Sequence, residues 1–125
     1  MKSFVTRLAG YLLAFGLLSN FASAQGQPEP RTPAGEATNH VGKAVVIKGT
    51  VAQVTKRDSI TYLNFEKKFP DQVFTAVIRQ RDFAEFPDVE KVQGRMVEVD
   101  GKVELFKGRP QILLTRKSQL RIVEK

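Results

Sequence analysis

Apolar and polar residues alternate through most of the chain after residue 39, and this period of two predicts β-strands. The first predicted strand covers residues 43–55, and Val54 falls out of phase with the apolar positions before it. Gly49 lies near the middle of this strand. A central glycine followed by a phase slip predicts a bulge or bend, which would let one strand pair in two sheets.

Two further strands are predicted as a hairpin. Residues 60–66 alternate after a turn at residues 56–59, and residues 72–79 form the third strand after a loop that contains Pro70. The third strand is apolar on both faces for much of its length, which is typical of a central strand.

The rest of the chain predicts one short helix and two more strands. Residues 81–86 form the helix, which Pro87 limits. Residues 97–105 then alternate, and we expect residues 111–115 to pair with residues 120–123. In the alternating segment the expected inward side chains are Val97, Val99, Val103 and Leu105, and the expected outward ones are Glu98, Asp100, Lys102 and Glu104.

Five strands with a short helix between the third and the fourth predict an all-β fold, a small and partly open Greek-key barrel of the OB-fold type. Closing the sheet would hide its edges, which suits a small chain that has no Cys for disulfides. An open α+β sheet is the alternative, because periodicity alone does not distinguish the two.

The sequence also resembles the small bacterial OB-fold domains of the nucleic-acid-binding type, a group that includes anticodon-binding barrels. The likeness covers residues 41–123, and it implies the fold more strongly than the function, because most matching positions are core residues, glycines and turns. It rests on Val45-x-Ile47-x-Gly49-x-Val51, Thr61-Tyr62-Leu63-Asn64-Phe65, Phe74-Thr75-Ala76-Val77-Ile78, Val97-x-Val99-x-Gly101-x-Val103 and Gly108-Arg109-Pro110-Gln111-Ile112.

The N-terminal part predicts export. Residues 1–24 have the features of a signal peptide, with two cations, an apolar run and a small-residue cleavage site that ends at Ala24. The alternative is an uncleaved membrane anchor, but the apolar run is shorter than the roughly 20 residues of a spanning helix. Residues 25–38 contain three Pro, two Gly and no large apolar residue, which predicts a flexible linker. The OB-fold domain is then expected over residues 39–125, in the periplasm or outside the cell.

Composition limits the function classes. The chain has 125 residues and a net charge of +7, which leaves room for one small core and excludes a large multidomain enzyme. The only histidine is His40, and there is no cysteine, so the usual nucleophile–base pairs and metal-ligand spacings are missing from the sequence. We therefore expect no catalytic residues, no metal and no cofactor.

Binding is the remaining class. In an OB-fold the exposed face of strands two and three, with the loops after strands one and four, forms the usual binding surface. There a base would stack on Tyr62 and cations would contact phosphates. The predicted ligand-binding residues are Tyr62, Asn64 and Arg79 on the strands and Lys56, Arg57, Lys67, Lys68, Lys107 and Arg109 on the loops.

Several observations weaken that interpretation. Scattered cations can simply keep a small domain soluble, and Glu98, Asp100 and Glu104 would repel phosphates if they faced the same cleft. We expect Phe65, Phe74, Phe83 and Phe86 to belong to the core, and Phe69 to tuck under its own hairpin rather than to contact a ligand.

Two function hypotheses remain from the sequence. The first is a non-catalytic exported module that binds single-stranded nucleic acid or another polyanion. The second is an interaction domain for a protein, a glycan or a small ligand, in which the basic charge is incidental.

Overall fold

The computed structural model describes residues 30–123. The predicted signal peptide and residues 25–29 of the predicted linker lie outside the described residues. Within the described part no helix is long and apolar enough to cross a membrane.

The described chain is mostly β, with eight strands and four short 3-10 segments. The strands are β1 (Arg31–Pro33), β2 (Ala44–Lys56), β3 (Ile60–Phe65), β4 (Phe74–Arg79), β5 (Met96–Lys102), β6 (Glu104–Phe106), β7 (Arg109–Leu113) and β8 (Leu120–Ile122). The 3-10 segments are Ala34–His40, Gln80–Glu85, Val89–Val92 and Lys117–Gln119. The predicted helix over residues 81–86 is therefore a 3-10 turn, followed by Pro87 as expected.

The strands form one sheet in the order β6-β7-β4-β3-β2-β5-β8, and β1 pairs with β2 beside this path. The hydrogen-bonded order does not close into a ring, and the prediction of five strands is wrong. One reason is that the predicted strand over residues 97–105 divides at Val103 into β5 and β6, which pair with different neighbours. The predicted pairing of residues 111–115 with 120–123 is also wrong, since β7 pairs with β4 and β6, while β8 pairs with β5.

The long bent strand is confirmed. The first half of β2 pairs with β5 and the second half pairs with β3, and the register shifts between Val51 and Gln53. Gly49 permits close packing before the bulge, because a Cβ there would lie 2.9 Å from the Ala34 Cβ and 2.7 Å from a carboxylate oxygen of Glu66. The packing of Ala34 against β2 therefore requires a residue without a side chain at position 49.

The core lies between the two halves of the curved sheet. Phe65 and Phe74 meet edge to face with ring centroids 5.1 Å apart, and Phe86 is buried while Phe83 packs against the cluster. The prediction that these four phenylalanines belong to the core is confirmed. The other large members are Ile47, Val51, Leu63, Ile78, Val97, Val99, Val103, Ile112 and Leu114.

The N-terminal segment belongs to the fold. The predicted linker is wrong for residues 31–38, since Arg31–Pro33 forms a parallel strand on β2, and Ala34 and Ala37 are fully buried in the core. Its buried apolar residues are alanines, and the Ala34 Cβ lies against Gly49, 2.9 Å from where a Cβ at that glycine would be. Hydrophobic patterning therefore gave no signal there.

Two positions of the predicted alternating segment also differ. Leu105 was expected to face inward but is 52% exposed, because β6 is the last strand of the order and has only β7 beside it. Glu98 was expected to face solvent, yet it is buried beneath Arg31 and Arg121, which cover its carboxylate.

Candidate functional site

A cleft of about 520 Å³ lies on the face formed by β2, β3, β4 and β7. It is bordered by the β2–β3 turn at one end of β3 and by the β3–β4 loop and the β6–β7 hairpin at the other. Its lining residues are Gln53, Thr55, Arg57, Tyr62, Asn64, Phe69, Gln72, Thr75, Phe106, Lys107, Arg109, Pro110 and Gln111.

The bulge in β2 decides which side chains enter this cleft. Val51 faces the core, and an uninterrupted strand would point Gln53 to the same side. The extra residue of the bulge reverses the alternation, so Gln53 and Thr55 line the cleft while Val54 packs against the core. The phase slip that predicted the bend therefore also explains the polar floor.

The floor is held by side-chain hydrogen bonds. Asn64 Nδ2 donates to Gln53 Oε1 at 2.9 Å, and the backbone N–H of Phe69 donates to the same oxygen at 3.0 Å. Thr75 Oγ1 donates to Asn64 Oδ1 at 3.4 Å. Asn64 is buried, so this predicted ligand-binding residue acts in the structure as a support for the floor.

Aromatic side chains stand at both ends of the cleft. Tyr62 is half-buried on β3 near the β2–β3 turn, whereas Phe69 is 68% exposed and Phe106 is 56% exposed at the opposite end. The expectation that Phe69 tucks under its hairpin is wrong, because its backbone is fixed by Gln53 with the ring at the rim. The Lys107 ammonium lies 5.4 Å from the centre of the Phe106 ring.

The charge of the cleft is positive. Arg57, Lys107 and Arg109 line it, and none of the described residues that line it is acidic. Arg109 also joins two loops, because its Nη2 donates to the Pro70 carbonyl at 2.9 Å and so links the β6–β7 hairpin to the β3–β4 loop.

The remaining predicted residues lie elsewhere. Lys56 contacts Glu90 at 3.0 Å outside the cleft, where hydrogen bonds from the glutamate's own backbone and from Lys56 lower the pKa of the Glu90 carboxyl. Arg79 ends β4 without lining the cleft, and Lys67 and Lys68 are exposed in the hairpin loop beyond the lining.

The acids that could have repelled phosphates are also outside the cleft lining. Glu98 lies between Arg31 and Arg121, and Asp100 contacts Arg121 at 3.3 Å. The Arg31 guanidinium, with Arg121 beside it, lowers the pKa of the Glu98 carboxyl despite its burial. Glu104 is exposed on β6 and does not line the cleft.

Sequence reasoning missed part of the lining. Phe106 beside Lys107 and Gly108 is an aromatic at a turn, which is the same signal that drew attention to Phe69. Gln72, Thr75 and Gln111 alternate with core residues but face the cleft, which only the pairing of β4 with β7 reveals. Residues 30–123 contain no group of three or more His, Asp or Glu side chains placed to hold a metal ion.

No protein-family model matches the sequence, and no curated protein matches it either. Solved structures do match it. An aspartyl-tRNA synthetase from Entamoeba histolytica is 18% identical with a TM-score of 0.55, and the match covers 80% of this chain but only 23% of the synthetase. The chain thus spans less than a quarter of that enzyme.

Two other neighbours are binding proteins or complexes. OBody AM1L10, bound to hen egg-white lysozyme, is 18% identical with a TM-score of 0.59, and the match covers 79% of this chain and 97% of the OBody. The Stn1-Ten1 complex of S. pombe gives 18% identity and a TM-score of 0.51, covering 66% of this chain and 59% of that one. At these identities the likeness shows the fold alone, which is of the OB-fold type predicted from the sequence.

Proposed function

We propose that the protein is a non-catalytic binding module whose cleft takes single-stranded nucleic acid. The observation that carries the proposal is the combination of Tyr62, Phe69 and Phe106 with lining cations and no lining acid. Aromatic rings stack on bases of any sequence, and cations follow the phosphates. A duplex keeps its bases stacked inside, so this combination favours single strands.

The fold neighbours support the same class of ligand. Two of these neighbours are a tRNA synthetase and the Stn1-Ten1 complex, and OB-folds commonly bind oligonucleotides. Export by cleavage near Ala24 is part of the proposal and rests on the leader sequence, so the ligand would be nucleic acid outside the cytoplasm or another extended polyanion.

The proposal is tested by fluorescence anisotropy of a labelled oligothymidylate titrated with the purified protein. Two or three phosphate contacts predict that affinity falls roughly tenfold between about 50 mM and about 200 mM salt. A double-stranded oligomer of equal length serves as the control and should bind more weakly. Absence of binding at low salt, or equal binding of both forms, contradicts the proposal.

A second candidate is a protein-interaction domain, favoured by the exposure of Phe69 and Phe106. The OBody neighbours are bound to lysozyme, so this fold type can present a protein-binding surface. Such a partner would bind with little dependence on salt, and oligothymidylate would not compete with it. If the cleft instead binds a glycan or a small ligand, oligothymidylate would likewise not compete with it.

A further inference from the structure

Four polar side chains form a straight row across the cleft. They lie directly opposite one another in the register of β2, β3, β4 and β7, and all four line the cleft: Gln53, Asn64, Thr75 and Gln111. Tyr62 lies on one side of this row, two residues away along β3, which is about 7 Å. Phe69 and Phe106 lie on the other side, beyond the end of β3. The cleft therefore has a hydrogen-bonding centre between two aromatic ends.

Three members of the row already have partners in the fold. Asn64 is hydrogen-bonded through both the nitrogen and the oxygen of its side-chain amide, and Thr75 donates to that oxygen. The Gln53 side-chain oxygen accepts two hydrogen bonds. Gln111 differs, because its side-chain amide makes no hydrogen bond within residues 30–123. Among residues 30–123, the Gln111 amide is thus the only one of the row with neither its oxygen nor its NH2 group hydrogen-bonded, and the Gln53 NH2 group is a further unused donor.

A second unused acceptor lies next to the row. Gln72 Oε1 is buried without a hydrogen-bond partner, and the Gln72 amide is held only by a long bond of 3.4 Å from its Nε2 to Thr75 Oγ1. Thr75 is the register partner of Gln111. A buried acceptor without a hydrogen bond is unfavourable. Rotation of the Gln72 amide toward a donor on a ligand would therefore be favourable. A group with two N–H bonds would suit this part of the cleft.

We propose that Gln111 is a specificity-determining residue that selects, at the centre of the bound segment, a base with an exocyclic amino group beside a ring-nitrogen acceptor, as adenine and cytosine have. This inference rests on the proposed function. Adenine carries an exocyclic amino donor beside a ring-nitrogen acceptor, and a glutamine amide complements that pair with two hydrogen bonds. The second N–H of the amino group is the donor that Gln72 lacks. Thymine has a carbonyl oxygen where adenine has its amino group, so it does not match.

The test compares oligothymidylates that differ in one central base: adenine, unsubstituted purine, or thymine. Purine keeps the ring and its stacking but lacks the amino group. The native protein should bind the adenine oligomer about tenfold more tightly than the purine oligomer, as a bidentate pair discriminates. In Gln111→Met the affinities for the adenine and purine oligomers should become equal, so that their ratio falls from about ten to about one.

Gln80→Met is the matched control, because Gln80 is exposed and does not line the cleft, and it should keep the full adenine preference. Equal affinity of the native protein for the adenine and purine oligomers overturns the assignment without touching the proposed function. An adenine preference that survives in Gln111→Met overturns it as well. If none of the oligomers binds, the proposed function itself fails. The adenine–purine comparison needs only the native chain, so it does not depend on how a variant folds.

Discussion

Arg31 Nε donates a hydrogen bond to Glu98 Oε2 at 2.8 Å, and this contact joins the first strand of the described chain to β5. The other oxygen of the same carboxylate accepts from Arg121 Nη2 on β8 at 3.3 Å. One buried acid therefore holds strands that are far apart in sequence. The arrangement places this charge in the sheet outside the cleft, where it stabilises the fold without opposing an anionic ligand.

This contact predicts a loss of stability in acid. The two arginines lower the pKa of Glu98 in the folded protein, so the unfolded chain binds its proton first as the pH falls. The stabilisation is complete above the unfolded glutamate pKa of roughly 4.3 and is lost as the pH falls through the folded value. Glu98→Gln should cost about 1–2 kcal/mol at neutral pH, since both arginines are partly exposed.

Urea unfolding between neutral pH and acid measures this effect. The variant should lose less stability on acidification than the native protein. Glu104→Gln is the control, because Glu104 is an exposed acid on β6. If the free energy of unfolding fell equally with pH in the native protein and in Glu98→Gln, the stabilising role of the Glu98–arginine contact would be contradicted.

A second prediction concerns the packing of the N-terminal segment against β2 at Gly49. Gly49→Ala should destabilise the protein by about 2–3 kcal/mol, because the new Cβ would meet Ala34, Phe65 and the Glu66 carboxylate at 2.7–3.1 Å. Gly35→Ala, with nothing within 4 Å of its Cβ, should change stability by less than about 0.5 kcal/mol. Chemical denaturation of both variants measures the difference. Equal stability of the two would show that the close approach of the N-terminal segment is not maintained.

The aromatic rim gives a third prediction. Phe69→Ala and Phe106→Ala should each weaken oligothymidylate binding about tenfold, since a stacked base contributes about 1–3 kcal/mol. Their thermal stability should change little, because both rings are more than half exposed. Leu105→Ala is the matched control, as Leu105 is equally exposed beside Phe106 but does not line the cleft. A similar loss in Leu105→Ala would point to a general apolar effect instead of stacking.

The cations give a fourth prediction. Arg57→Gln and Lys107→Gln should each weaken binding and reduce the slope of log affinity against log salt by about 0.7. Lys56→Gln should leave the slope unchanged, because Lys56 contacts Glu90 outside the cleft. Measuring affinity at four salt concentrations for each variant separates these results. The same slope in all three variants would mean that phosphates do not contact the cleft.

Sequence patterning predicted the parts of the fold that depend on large apolar side chains. The strands over β2, β3 and β4, the bend near Gly49 and the buried faces of Phe65 and Phe74 follow from the period of two. The core positions of Phe83 and Phe86 follow instead from their spacing of three in the predicted helix. The N-terminal strand and its 3-10 segment did not follow, because their buried residues are as small as Ala34 and Ala37 and carry no pattern. The division at Val103 was also missed, since alternation continues through it while the pairing partner changes.

The cleft was predicted in part for a similar reason. Tyr62 was predicted from the strand face that alternation gives it, and Arg57 and Lys107 were predicted from their place in the loops after the first and fourth strands. Gln53 and Gln111 were missed because their facing depends on a bulge and on a pairing between strands distant in sequence. Lys56 was predicted to line the cleft but contacts Glu90 instead, which the sequence did not indicate because Glu90 is 34 residues away.

The most direct measurement of the central claim is a map of backbone amide NMR shifts during titration of the purified protein with oligothymidylate. The account predicts that the largest changes fall on both sides of the cleft, at Gln53, Tyr62, Phe69, Phe106 and Gln111, and that the amides of Glu98 and Arg121 stay unchanged. Changes centred on the Glu98 side of the sheet, or spread evenly over the exposed lysines and arginines, would contradict the claim that this cleft is the binding site.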